Sequence, residues 1–121
     1  MRIDVKGTIV PNDDKWIYEW LEYDATCPND VNKLIDQAKG EPLEVYINSG
    51  GGDIYAGSEI YSALRGYKGE VNIHVVGFAA SAASVIACAG KSDISPTAMF
   101  MVHNVSCMAW GDYHSMDKTS D

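Results

Sequence analysis

The 121-residue sequence is poor in basic residues, poor in cysteine, and free of long apolar runs. Nine lysine and arginine side chains stand against 17 aspartates and glutamates, so the formal net charge is −8. Nucleic acids and anionic membranes both bind cationic surfaces, and this balance argues against either as a partner. The least polar stretch, residues 75–90, is too short for a membrane span, which needs about 20 mostly apolar residues.

The three cysteines, Cys27, Cys88 and Cys107, are far apart and form no CxxC pair. This pattern indicates neither a disulfide framework nor a zinc site, and no other His, Cys or acidic residues show metal-ligand spacing. The first residues have no apolar signal core, so we expect a cytoplasmic protein. No Walker motif occurs. We therefore expect no metal and no cofactor.

Apolar residues make up 46% of the chain and charged residues 21%, which is typical of a globular protein. The length suits one domain, and no linker, internal repeat or low-complexity tract divides it. We predict a single domain over residues 1–121. A helix that should begin at Tyr113 has little chain left to complete it, so we expect the domain to be truncated at its C-terminus.

Apolar patterning predicts strands and helices in alternation, which favours an α/β fold with a mostly parallel sheet covered by helices. Four aromatic side chains, Trp16, Tyr18, Trp20 and Tyr23, cluster near the first helix. They are expected to pack on the core or, alternatively, to meet a partner subunit. The predicted strands cover residues 3–10, 43–47, 71–76 and 98–102, and the predicted helices cover 16–21, 31–38, 54–64 and 79–89.

Three candidate motifs follow predicted strands: a glycine loop after Ile47, Ser81 after Val76, and His103 after Val102. Ligand sites of open α/β sheets lie beyond the carboxyl ends of the strands. We therefore expect the three motifs to lie close together and to form the functional site.

The glycine loop is Gly50-Gly51-Gly52, whose backbone can adopt positive φ and approach a ligand closely. It is not a phosphate loop, since no Gly-Lys-Ser/Thr follows, and Tyr55 stands where GxGxxG requires its last glycine. Read alone, it predicts a strand-to-helix turn.

Ser81 and His103 are the candidate nucleophile and base. A serine hydroxyl is a weak nucleophile until a neighbouring base takes its proton, and a histidine at the next strand end suits that role. Read singly, Ser81 is an ordinary helix cap outside any GxSxG elbow, and His103 is a satisfied buried side chain. His74 lies within a strand and His114 in the tail, so both are weaker candidates.

Taken together, the motifs resemble the ClpP family of serine peptidases, and most closely the prophage-encoded ClpP-like proteases. The similarity runs from Gly7 to about Asp112, and 22 residues separate Ser81 from His103. The motifs that carry it are Ile47-Asn48-Ser49-Gly50-Gly51-Gly52-Asp53-Ile54-Tyr55-Ala56-Gly57, Gly77-Phe78-Ala79-Ala80-Ser81-Ala82-Ala83-Ser84 and Met101-Val102-His103-Asn104.

This resemblance implies a ClpP/crotonase-like fold and a Ser-His-Asp triad, with Ser81 as nucleophile and His103 as general base. The backbone N–H groups of Gly52 and Ala82 would form the oxyanion hole. The substrate would lie extended against the loop at Gly50 and Gly51 by strand addition.

The sequence departs from the family at two places. Gly50 replaces the usual proline of the loop. The triad aspartate is expected beyond residue 121, because Asp112, Asp117 and Asp121 follow His103 too closely to match it.

The resemblance predicts a serine endopeptidase that acts on peptides or unfolded protein, with phage protein processing as one setting. It also implies a homo-oligomeric ring, and any ATP-driven unfolding would need a separate ATPase. Two alternatives stay open. One is a truncated, catalytically inactive ClpP-like remnant, and the other is a crotonase-type enzyme acting on acyl-coenzyme A.

Overall fold

A computed structural model describes residues 1–94 and 99–100 of the chain. Nine helices and strands and one 3-10 turn precede the last strand in this part. No helix there has the length and apolar character that crossing a membrane requires. The elements are β1 (Arg2–Ile9), a 3-10 turn (Asn12–Asp14), α1 (Lys15–Trp20), β2 (Ala25–Thr26), α2 (Pro28–Ala38), β3 (Leu43–Gly52), α3 (Ile54–Arg65), β4 (Val71–Ala79), α4 (Ala82–Ile86), β5 (Lys91–Ile94) and β6 (Met99–Phe100).

The strands form one sheet in the order β2-β1-β3-β4-β5, and β6 pairs with β4 beyond β5. Every pairing among the described strands is parallel. The predicted α/β fold with a parallel sheet is confirmed. All strands therefore point their carboxyl ends to the same edge, where the glycine loop and Ser81 follow β3 and β4.

One face of the sheet forms the hydrophobic core with α2, α3 and α4. Alternate residues of the three central strands are fully buried there, as the two-residue period of a strand requires. Burial of each such side chain contributes about 1.5–3 kcal/mol to the free energy of unfolding. The strand residues are Ile3, Val5, Val45, Ile47, Ile73 and Val75, and the helices add, among others, Val31, Ile60, Leu64 and Ile86.

Two strands are longer than predicted and one helix is shorter. Ala79 belongs to β4 and pairs with Ser49, and α4 begins only at Ala82. The helix predicted over residues 79–89 is therefore wrong at both ends. Alanine favours helices when nothing else decides, but here pairing with β3 keeps the backbone extended. The short strands β2 and β5 were not predicted.

Three of the four aromatic residues near α1 are exposed. Trp16 and Tyr23 are each 64% exposed and Trp20 is 76% exposed, and α1 has no buried residue. The prediction that the aromatic residues pack on the core of this chain is therefore wrong for these three, whereas Tyr18 is half-buried. Helix α1 spans only six residues, and so short a helix cannot turn all its aromatic residues toward the sheet.

The second face of the sheet carries a polar cluster centred on His74. Its Nε2–H donates to Glu44 Oε1 at 2.7 Å, and its Nδ1–H donates to Asp93 Oδ2 at 3.1 Å. Ionised carboxylates only accept hydrogen bonds, so both of these bonds form when the imidazole is protonated. The imidazole ring packs against the Tyr46 ring, and the guanidinium of Arg2 in β1 lies over the same Tyr46 ring. The hydrogen bond to Glu44 is the main cause that raises the pKa of His74 above its ordinary 6.5, and the hydrogen bond to Asp93 raises it further.

This cluster predicts a pH-dependent stability. Because the folded-state pKa of His74 is raised, its contribution is fully present below about pH 6.5 and is lost as the pH rises through the raised value. We expect a lower urea midpoint at pH 9 than at pH 6.

The matched variant is His74→Gln, which fits one carboxylate but does not titrate. The difference in urea midpoint between wild type and His74→Gln separates the effect of this residue from that of the other histidines. It should shrink from pH 6 to pH 9, and a difference that stays constant over this interval would contradict the prediction.

Candidate active site

Ser81 lies in the turn between β4 and α4, in a conformation that few residues with a side chain adopt. Its φ is 53° and its ψ is −125°. Such a conformation costs roughly 1–3 kcal/mol and persists only where the surroundings impose it. The residue is exposed, and its hydroxyl makes no capping bond to α4. An exposed, strained serine between a strand and a helix has the geometry of a nucleophile elbow, although the sequence lacks GxSxG.

The glycine loop lies directly against this turn. Gly51 is buried with a φ of 101°, and a methyl group placed on it would lie 2.6 Å from Ser81 Cβ and 2.7 Å from Ala80 O. Only a residue without Cβ allows the two segments to approach so closely. The structure thus brings together the glycine loop and Ser81, two of the three motifs predicted to meet.

Of the three backbone amides that follow Ser81, two have hydrogen-bond acceptors and one has none in the described part of the chain. The N–H groups of Ala83 and Ser84 donate to the carbonyls of Ala80 and Ser81, at 3.0 Å each. The N–H of Ala82 has no acceptor among the described residues. It lies 3.2 Å from the position that a Gly51 Cβ would take. One amide without an acceptor in the described part of the chain therefore lies where the glycine loop contacts the Ser81 turn.

Gly52, the residue after Gly51, ends β3. It is exposed, with a φ of 150°, and a methyl group on it would collide with the backbone of Ile9 in β1. Its neighbour Asp53 caps α3 by accepting from the Ala56 N–H at 2.7 Å. Gly50 has an ordinary backbone and open surroundings, in which Phe78 is the nearest side chain.

His103 and His114 lie outside the described residues, as do Asp112, Asp117 and Asp121. The pairing of Ser81 with His103 thus stays a prediction. His74, the weaker histidine candidate, belongs to the polar cluster on the second face of the sheet. It is bonded there to two carboxylates and takes no part in the site.

Two buried serines that support the site were missed at the level of sequence. Ser84 is 1% exposed, and its hydroxyl donates to the Ser81 carbonyl at 2.6 Å. Ser49 is 2% exposed and is bonded within the glycine loop. The three-residue spacing of Ser81 and Ser84 was the available signal for the first. Nothing in the sequence pattern separates Ser49 from an ordinary loop serine.

A cavity of about 250 Å³ lies beside the start of α3. Ser81 and Gly51 do not line it, so it is separate from the site. Within residues 1–94 and 99–100, no group of His, Cys, Asp or Glu side chains is placed to hold a metal ion. The cavity walls are Pro11, Asn12, Asp13, Pro28, Asp53, Tyr55, Ala56 and Glu59.

A parallel sheet with helices on its apolar face, and with a glycine loop packed on a serine turn at its carboxyl edge, defines a ClpP-like α/β protein. Residues 27–120 match the family model described as Clp protease. The chain belongs to the Clp protease family.

Curated relatives are identical to this chain at about a third of the aligned positions. An ATP-dependent Clp protease proteolytic subunit of Bacteroides fragilis is 34% identical over 84 residues, which are 67% of this chain and 41% of the relative. The subunit of the same name from Deinococcus radiodurans is 37% identical over 76 residues, which are 60% of this chain and 37% of the relative. The chain thus spans about two fifths of the length of these relatives.

Solved structures support the fold assignment. ClpP1 from Listeria monocytogenes superimposes with a TM-score of 0.58 at 16% identity, over 90% of this chain and 64% of that one. A point mutant of the same protein gives a TM-score of 0.59 at 20% identity, over 97% of this chain and 66% of that one. At such identities the similarity shows the fold alone. The family match is to a protease family, and it gives the crotonase-type alternative no support.

Proposed function

We propose that this chain carries the nucleophile and oxyanion hole of a serine endopeptidase. The observation that carries the proposal is the contact of Gly51 with the strained, exposed Ser81, beside an Ala82 N–H that has no acceptor in the described part of the chain. Membership of the Clp protease family supports the same chemistry.

In the proposed reaction, His103 takes the proton of the Ser81 hydroxyl as Oγ bonds to the carbonyl carbon of the scissile peptide. The carbonyl oxygen becomes an oxyanion that accepts hydrogen bonds from the N–H groups of Gly52 and Ala82. His103 then protonates the leaving amine, and water repeats the sequence on the acyl-enzyme. One oxyanion-hole donor typically contributes about 100- to 1,000-fold in rate.

The orienting aspartate of His103 is proposed to lie beyond residue 121. Such a residue holds the imidazole in the tautomer that can accept the serine proton, and its loss costs about 10⁴-fold in rate.

The proposed substrate is an extended peptide or an unfolded protein chain. Its backbone would lie extended along the loop at Gly50 and Gly51, near the carboxyl end of β3, and would pair with backbone groups of that loop by strand addition. Resemblance to the ClpP family supports a homo-oligomeric ring and a separate ATPase for folded substrates. A role in phage protein processing is proposed from the sequence resemblance to prophage-encoded ClpP-like proteases alone. The exposed aromatic residues near α1 are consistent with a subunit contact.

Fluorophosphonate labelling tests the proposed function, because these probes react only with an activated serine. We expect a single adduct on Ser81, read by intact mass and peptide mapping. Absence of an adduct on the folded 121-residue chain and on a protein extended past Asp121 would contradict the proposal and favour an inactive remnant.

A further inference from the structure

We propose that Ser49 is a positioning residue, which holds the glycine loop in its reactive geometry through its buried hydroxyl. The inference rests on the proposed function and names a further residue of the same site. Ser49 would touch no substrate. It would act through Gly51 and, one residue further, through the Gly52 amide.

The hydroxyl of Ser49 makes two hydrogen bonds, one as donor and one as acceptor. Its Oγ donates to the Gly7 carbonyl at 2.6 Å and accepts from the Gly51 N–H at 3.0 Å. The side chain is 2% exposed, so water cannot replace either partner. A buried hydroxyl with both a donor and an acceptor bond holds its two neighbours at a defined separation.

The residue that Ser49 holds in β1 is itself irregular. Gly7 has a φ of 71°, and the pairing of β1 with β3 shifts register between Lys6 and Thr8. A register shift leaves ladder groups without their regular partners, and a side chain must then satisfy them. Ser49 supplies the donor that the Gly7 carbonyl needs, and so joins this bulge to the glycine loop.

The backbone of Ser49 also joins the loop to the serine turn. Its carbonyl accepts from the Ala80 N–H at 3.2 Å, one residue before Ser81. Ser49 therefore contacts β1, the glycine loop and the Ser81 turn through three hydrogen bonds. An oxyanion hole stabilises the transition state only when its donors are fixed before the reaction, and Ser49 is placed to fix them.

Ser49→Ala removes the hydroxyl and leaves the Gly51 N–H without its acceptor. We expect kcat for peptide hydrolysis by the full-length protein to fall about 10- to 100-fold with KM nearly unchanged. The oxyanion-hole donors stabilise the oxyanion of the transition state, and their displacement leaves substrate binding nearly as it was. Ser49→Thr keeps the hydroxyl and should recover part of the loss. The Gly51 amide, protected in the wild type, should exchange with deuterium faster in Ser49→Ala.

Thr26→Ala is the matched control. Thr26 is also buried, and its Oγ1 likewise makes two bonds to β1, accepting from Lys6 N–H at 3.1 Å and donating to Lys6 O at 2.9 Å. It touches neither the glycine loop nor the Ser81 turn. Thr26→Ala should lower the melting temperature as Ser49→Ala does, with kcat unchanged.

The outcomes separate the two proposals. Equal kcat losses in Ser49→Ala and Thr26→Ala would overturn the positioning role and leave a structural one. Unchanged kcat and unchanged Gly51 exchange in Ser49→Ala would overturn it as well. A wild-type protein that neither hydrolyses peptides nor reacts with fluorophosphonate would overturn the proposed function, and the positioning role would fall with it.

Discussion

Replacing Ser81 by alanine should abolish fluorophosphonate labelling and lower peptide hydrolysis about a million-fold, with the fold intact. Loss of the nucleophile removes the acyl-enzyme route altogether, and in a serine-peptidase triad this loss is of that order. The Ser81 side chain is exposed and makes no capping bond, so the free energy of unfolding should change by less than about 0.5 kcal/mol. Kinetic assay and urea denaturation of the same preparation measure both effects.

Ser81→Gly is the informative partner of this variant. Glycine adopts φ 53° and ψ −125° without the Cβ strain that both serine and alanine suffer there. We expect Ser81→Gly to be as inactive as Ser81→Ala but more stable by about 1 kcal/mol. Full activity in either variant would show that another residue is the nucleophile. Equal stability of the two would show that the turn is not strained.

Gly51→Ala should be the most damaging substitution in the glycine loop. The new methyl group would meet Ser81 Cβ and Ala80 O, and φ at this position is 101°. Backbone strain and overpacking each cost about 1–3 kcal/mol. The contact can be relieved only by moving the Ser81 turn away from the loop, so the rate should also fall, by at least about 100-fold as for loss of one oxyanion donor.

Gly50→Ala provides the control for this substitution. A methyl group there lies 3.5 Å from the nearest atom, Phe78 Cε2, which is ordinary contact. We expect its stability and labelling rate to remain near wild type. Similar losses of stability and labelling rate in both variants would mean that the loop requires glycine for its general flexibility, and not for the close approach of Gly51 to Ser81.

Much of the fold follows from local patterns. Burial at Val45, Ile47, Ile73 and Val75 repeats every second residue, and this period shows directly in the sequence. The start of α4 does not follow, because residues 79 and 80 are alanines, and the pairing of Ala79 with Ser49 and with Phe100 keeps the end of β4 extended. Long-range hydrogen bonds have no local signature, and they overrode helix propensity here.

The candidate site was likewise predictable only in part. Strand ends placed the glycine loop and Ser81 at one edge, and the structure brings these two together. The strain at Ser81 was not predictable, since the φ of 53° occurs in a turn that packs on Gly51, 30 positions earlier, and no local pattern signals that contact. The predicted base, His103, lies outside the described residues, so its role remains a prediction.

Residue types and their order were therefore enough to determine the α/β class, the motifs and the family resemblance, because apolar periods and glycine spacing are local properties. The tertiary structure decided which polar groups serve the site. Ser49 bonds Gly7, 42 residues earlier in the chain, and His74 bonds Glu44 and Asp93 on separate strands. Such pairs depend on strand register, and register is set by packing of the whole sheet and not by any segment alone.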